Sequence, residues 1–122
     1  MKNENIRKSF ICAFSGIVET IKNERNFKIH ILAAICALGL AIFLKISVIE
    51  FICLLFSITM VLSAELLNTA IEAAVDMFTG GRFNPLAKAA KDAAAGAVLI
   101  TSLNAVAVGV AVFFKKLIDL IM

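Results

Sequence analysis

Apolar residues recur at Ile6, Phe10, Phe14, Ile17 and Ile21, steps of three and four that draw one stripe down a helix whose other faces are polar or charged. From residue 31 the pattern changes. Apolar residues occupy every helical face, and between residues 31 and 64 only Lys45 and Glu50 carry charge. One helix over that stretch would reach about 50 Å at about 1.5 Å per residue, well beyond a hydrocarbon core of about 30 Å. Two spans with a short turn near residues 44–49 fit instead, although no Gly or Pro marks the turn. Residues 93–114 make a third apolar run, 22 residues without a formal charge, which is long enough to cross.

The strong punctuation lies at Thr79-Gly80-Gly81-Arg82-Phe83-Asn84-Pro85. Its glycines can end one helix, and Asn84 can cap the next with Pro85 in the first turn. A helix over residues 85–114 would be about 45 Å long, so its first two turns, with Lys88, Lys91 and Asp92, stand out of the hydrocarbon. The fold expected is all-α and integral to the membrane. It forms one domain, with an N-terminal amphipathic surface helix over residues 1–27 and a three-span bundle over residues 28–122.

Composition agrees with lipid as the main solvent: 61% of the 122 residues are hydrophobic and 17% charged, against about a quarter charged in soluble domains. Lys2, Arg7, Lys8, Lys22, Arg25 and Lys28 precede the first span, whereas Lys45 stands alone in the first connection. This asymmetry places the N-terminus in the cytoplasm, and with it the 77–92 connection carrying Arg82, Lys88 and Lys91. Lys115 and Lys116 at the outer tail run against the rule. The first 28 residues are too polar for a signal peptide. Their apolar stripe can lie in the membrane surface or pack on the protein's own spans. A net charge of +3 without an aromatic-interleaved basic cluster argues against a nucleic-acid partner. Cys12, Cys36 and Cys53 are scattered, and with His30 the single histidine they form no zinc pattern.

The informative segment is Glu65-Leu66-Leu67-Asn68-Thr69-Ala70-Ile71-Glu72-Ala73-Ala74-Val75-Asp76, which continues an apolar span yet carries three carboxylates and an amide. At 100° per residue Glu65, Asn68, Glu72 and Asp76 fall within about 80° of one another, a polar ridge that cannot face lipid. Glu65 lies at or just inside the membrane boundary, where an ionisable group is a functional-site candidate. The structural alternative pairs these acids with Lys88, Lys91 or Arg25. Three acids on one stripe exceed that need, and buried ion pairs add little net stability. Carboxylates near lysines, without zinc ligands, suit magnesium bridging to substrate phosphates. A spare carboxylate can serve as general base and a lysine can neutralise a moving phosphoryl group. The familiar nucleotide-binding signatures are absent. The residues alone therefore indicate a magnesium-dependent site at a membrane surface. An ion-conducting or assembly subunit is the non-enzymatic alternative. It would need the ridge to continue across the membrane, yet the third span offers only Thr101, Ser102 and Asn104, and the first nothing polar beyond His30.

The ridge segment and Ala87-Lys88-Ala89-Ala90-Lys91-Asp92-Ala93-Ala94-Ala95-Gly96-Ala97-Val98-Leu99 closely resemble the two signature stretches of the prokaryotic diacylglycerol kinase family. Asn23-Glu24-Arg25-Asn26-Phe27-Lys28-Ile29-His30 resembles the version in its Gram-positive branch, whose members are generally undecaprenol kinases. The resemblance implies a lipid kinase of the bacterial cytoplasmic membrane that uses ATP as co-substrate and Mg2+ as cofactor. Its acceptor would be undecaprenol, with diacylglycerol as the alternative. It also implies homotrimers with active sites shared between chains. Residue by residue, Glu65 would be the general base and Asn68 the amide that orients Glu65 or the acceptor hydroxyl. Glu24 and Glu72 would hold magnesium on the ATP phosphates. Lys91 would contact the phosphates, Asp76 would lie near the nucleotide, and Asp92 would position Lys91 or its surroundings. The sequence departs from the diacylglycerol-specific pattern in lacking tryptophan and in carrying His30, which reads first as a polar residue at a membrane boundary.

Overall fold

The computed structural model describes residues 5–122, whose regular structure is entirely helical. Helix α1 spans Ile6–Asn23, and its N-terminus is closed by Asn5, whose side chain accepts from the Lys8 N–H at 2.8 Å. At Glu24 the backbone turns extended, with φ −110° and ψ 112°, and α2 begins at once, Arg25–Phe43. The break thus comes before residue 27, because Phe27 already sits in the first turn of α2, where only 2% of it is exposed.

Helix α2 ends in a Schellman motif built without glycine. Lys45 takes φ 54°, the Ile46 N–H bonds to the Ala41 carbonyl and the Lys45 N–H to that of Ile42. Ser47 then caps α3, Val48–Thr79, in a reciprocal box: the Glu50 N–H donates to Ser47 Oγ at 3.1 Å, and the Ser47 N–H donates to Glu50 Oε1 at 3.0 Å. Gly80 and Gly81, with φ 63° and 83°, stop α3 where a Cβ would be strained. Asn84 accepts from the Leu86 and Ala87 N–H groups and opens α4, Pro85–Ile121, which runs on through Lys115 and Lys116.

Helices α2, α3 and α4 have 19, 32 and 37 residues and are long and apolar enough to cross a membrane, which makes this a multi-pass chain. At about 1.5 Å per residue α3 reaches about 48 Å and α4 about 56 Å, so both extend beyond the hydrocarbon. α4 lies along α3 in the most extensive helix pairing, α2 packs on α3, and α1 touches α2 and α3 more lightly. The buried stripe of α3 is Leu54, Ser57, Val61, Ala64 and Glu65. Its spacing is the helical repeat, and Asn68, Glu72 and Asp76 prolong the same line by steps of three and four. The polar ridge is therefore the core face of α3 continued past its apolar part. Large apolar side chains such as Leu32, Phe56, Ile100 and Val106 point outward, as suits a hydrocarbon surround.

Candidate active site at one end of the bundle

Glu65 is buried at 6% exposure, whereas Glu72 and Asp76, farther along the same helix face, are exposed. A single chain covers only the first step of the ridge. Glu65 has His30 of α2 as its neighbour: the Nε2 to Oε1 separation is 3.2 Å. One turn on, the Asn68 side-chain amide donates to Glu72 Oε1 at 2.7 Å, which orients that carboxylate. With its N–H so used, Asn68 keeps a buried Oδ1 that has no hydrogen-bond partner. An acceptor left bare in this way is costly unless a ligand donor completes it.

Asp76 is reached from the other helix. Lys91 of α4 donates to Asp76 Oδ1, so the pair bridges α3 and α4, and Lys88 donates to Asp92 at 2.6 Å one turn along α4. Asp92 therefore pairs with Lys88 and not with Lys91. Asp76, Lys88, Lys91 and Asp92 line one hollow with Arg82, Gly81 and Asn84, about 430 Å³ between the α3 end and the α4 start. Three cations in this hollow against two carboxylates leave a positive balance, as a polyphosphate requires. A second, apolar hollow of about 260 Å³ runs between α2, α3 and α4. Its lining includes His30, Ala34, Ser57, Val61, Leu62 and Phe113. On α3 the lining residues of the apolar groove end at Leu62 and those of the polar hollow begin at Val75, so Glu65, Asn68 and Glu72 stand between the two.

Of the residues singled out from the sequence, the structure thus gathers Asp76, Lys91 and Asp92 in one hollow and lines up Glu65, Asn68 and Glu72 beside it. Glu24 lies at the α1–α2 break, exposed and without a side-chain capping bond. No three His, Cys, Asp or Glu side chains cluster into a metal cage among the described residues. Exposed carboxylates such as Glu72 still fit magnesium, which is held by one or two carboxylates and completes its shell with phosphate oxygens and water. Arg82 and His30, both noted in the sequence, were given no role in the site. Arg82 joins the hollow through the glycine turn, and a cation beside Gly-Gly was its available signal. His30 meets Glu65 across 35 residues, and an ionisable residue at the start of a span was the one hint.

The family model for prokaryotic diacylglycerol kinase matches residues 11–113. The undecaprenol kinase of Bacillus subtilis is 46% identical over 110 residues, 90% of this chain and 89% of that protein. A diacylglycerol kinase of Synechocystis is 37% identical over 116 residues, covering 95% of this chain and 66% of the relative. The diacylglycerol kinase of Escherichia coli K12 is 37% identical over 94 residues, 77% of this chain and 76% of its own. With the match running from α1 nearly to the end of the third span and including both edges of the polar hollow, this chain belongs to the prokaryotic diacylglycerol kinase family.

Proposed function

We propose that the chain is an MgATP-dependent lipid kinase that transfers the γ-phosphoryl group of ATP to the hydroxyl of undecaprenol. The reaction takes place on the cytoplasmic face of a bacterial cell membrane. The observation that carries this reading is the buried Glu65 carboxylate, standing on α3 between an apolar groove and a positively balanced polar hollow. A lipid alcohol arrives from the groove side and a nucleotide from the water side, and such a meeting point is what transfer between them needs. The greater likeness to a relative named undecaprenol kinase, 46% against 37% to 40% for those named diacylglycerol kinase, favours the polyprenol as acceptor.

The lipid oxygen attacks the γ-phosphorus in line with the bond to ADP, which breaks as the new bond forms. The hydroxyl proton passes to Glu65. An alcohol is far less acidic than a carboxylic acid, so the proton moves late, as bonding to phosphorus develops. Asn68, through its N–H on Glu72, keeps that carboxylate in place, and its unpartnered Oδ1 is open to a donor other than the reacting hydroxyl. Lys91 and Arg82 neutralise phosphate charge, with Asp76 holding Lys91 in place and Asp92 holding Lys88. Glu24 and Glu72 would hold magnesium on the phosphates, where it would offset the negative charge of the transferred group. Much of the rate comes from holding two substrates in line at the boundary.

The chain acts as a homotrimer with sites shared between subunits, and α1 lies in the membrane surface with its basic side toward anionic headgroups. Two features support this. Glu72 and Asp76 are exposed in one chain although the ridge continues a buried stripe, and Phe10 and Phe14 of α1 are exposed as well. Mixing a Glu65→Gln chain with a Glu24→Gln chain restores transfer if sites are shared, and leaves none if each site is built within one chain. The acceptor is tested by initial rates with undecaprenol and diacylglycerol offered in parallel in mixed micelles. Preference for undecaprenol is the expected result, preference for diacylglycerol would change the acceptor while keeping the chemistry, and transfer to neither would overturn the kinase reading.

A further inference from the structure

Among the described residues Glu65 is the one charged side chain that is buried. A carboxylate taken from water at a membrane boundary needs a compensating donor. Lys91 pairs with Asp76 and Lys88 with Asp92. The side chain that meets Glu65 is His30, with Nε2 at 3.2 Å from Glu65 Oε1 and side chains that are 28% and 8% exposed. It also lines the apolar groove beside Ser57 and Val61, on the side where an alcohol would enter.

We propose that His30 is a positioning residue for Glu65. Its Nε2–H donates to Oε1, which fixes the carboxylate in one orientation and leaves Oε2 to receive the proton of the acceptor hydroxyl. This rests on Glu65 being the base. The contact also ties α2 to α3 at the reacting level, so the groove and the base are set by one bond. His30 itself touches no phosphate.

The sequence has a single histidine, so the ring resonances of His30 need no assignment in an untagged chain grown with isotope-labelled histidine. Nitrogen NMR in detergent is expected to show Nε2 protonated and its resonance displaced by Glu65→Gln. An Nε2 resonance indifferent to Glu65→Gln would overturn the pairing. In the transfer assay, His30→Ala lowers kcat about tenfold to a hundredfold, the usual loss when a group that orients a functional ligand is removed, with KM for MgATP unchanged. His30→Gln, whose amide can still donate to Oε1, recovers most of that loss, and in a Glu65→Gln background His30→Ala costs nothing further. Unchanged kcat in His30→Ala, or equal losses in both His30 variants with a raised KM for MgATP, would overturn the role. Loss in Glu65→Gln without loss in His30→Ala would sink only this proposal, whereas full kcat in Glu65→Gln would sink the base assignment beneath it.

Discussion

The two ends of α3 both carry acidic residues and use them differently. At its start Glu50 closes a capping box with Ser47, three residues away, and the bonds stay within one turn. At its far end the partners come from other helices: His30 of α2 meets Glu65 across 35 residues, and Lys91 of α4 meets Asp76 across 15. One end finishes a helix, and the other joins helices around a place where two solvents meet. The burial follows the same division, because Glu65 lies on the core stripe and Glu50 precedes it. A carboxylate kept buried at a cost in desolvation needs a reason beyond stability, and the proposed transfer at the boundary would supply one.

Substitutions at the two ends can break or sharpen this contrast. The largest expected effect is on kcat: Glu65→Gln lowers it by about two to four orders of magnitude, the range for loss of a general base, while Glu50→Gln leaves it unchanged. Comparable losses at both positions in the micelle assay would erase the distinction. Next in size, Lys91→Met raises the KM for MgATP about tenfold or more, the worth of a charge-assisted hydrogen bond, as initial rates over a MgATP series will show. Lys115→Met, at the other end of α4, leaves that KM alone. The caps follow. Asn84→Ala removes the acceptor for two N–H groups and costs about 1 kcal/mol, read as a lower Tm in detergent. Smallest is Lys45→Gly, which relieves a left-handed backbone at φ 54° and stabilises by under about 1 kcal/mol without changing transfer.

Much of this was legible in the sequence because lipid enforces simple rules. Charge-free runs located the three spans, and Gly80-Gly81 with Asn84-Pro85 located the α3–α4 turn at the positions where the backbone bends. The α2–α3 turn was placed only loosely, since Lys45 adopts the conformation usually left to glycine. The Ser47-x-x-Glu50 box was its readable mark. The ridge followed from helical spacing, which is local information. The His30–Glu65 contact did not follow, because which side chain meets which depends on how α2 rotates against α3, whereas the Lys88–Asp92 pair is set by its spacing of four within α4. Periodicity gives a face and leaves the partner open.

The most direct test of the central claim follows the phosphoryl group itself. Purified chain in undecaprenol-containing micelles is given MgATP radiolabelled at the γ-position, beside a Glu65→Gln chain whose nucleotide binding is measured in the same preparation. Label in the lipid phase as a monophosphate with the native chain, and about a hundredfold less or lower with Glu65→Gln despite undiminished MgATP binding, is the predicted result. Label released only as inorganic phosphate, or equal lipid labelling by both chains, would contradict a phosphoryl-transfer site built on Glu65.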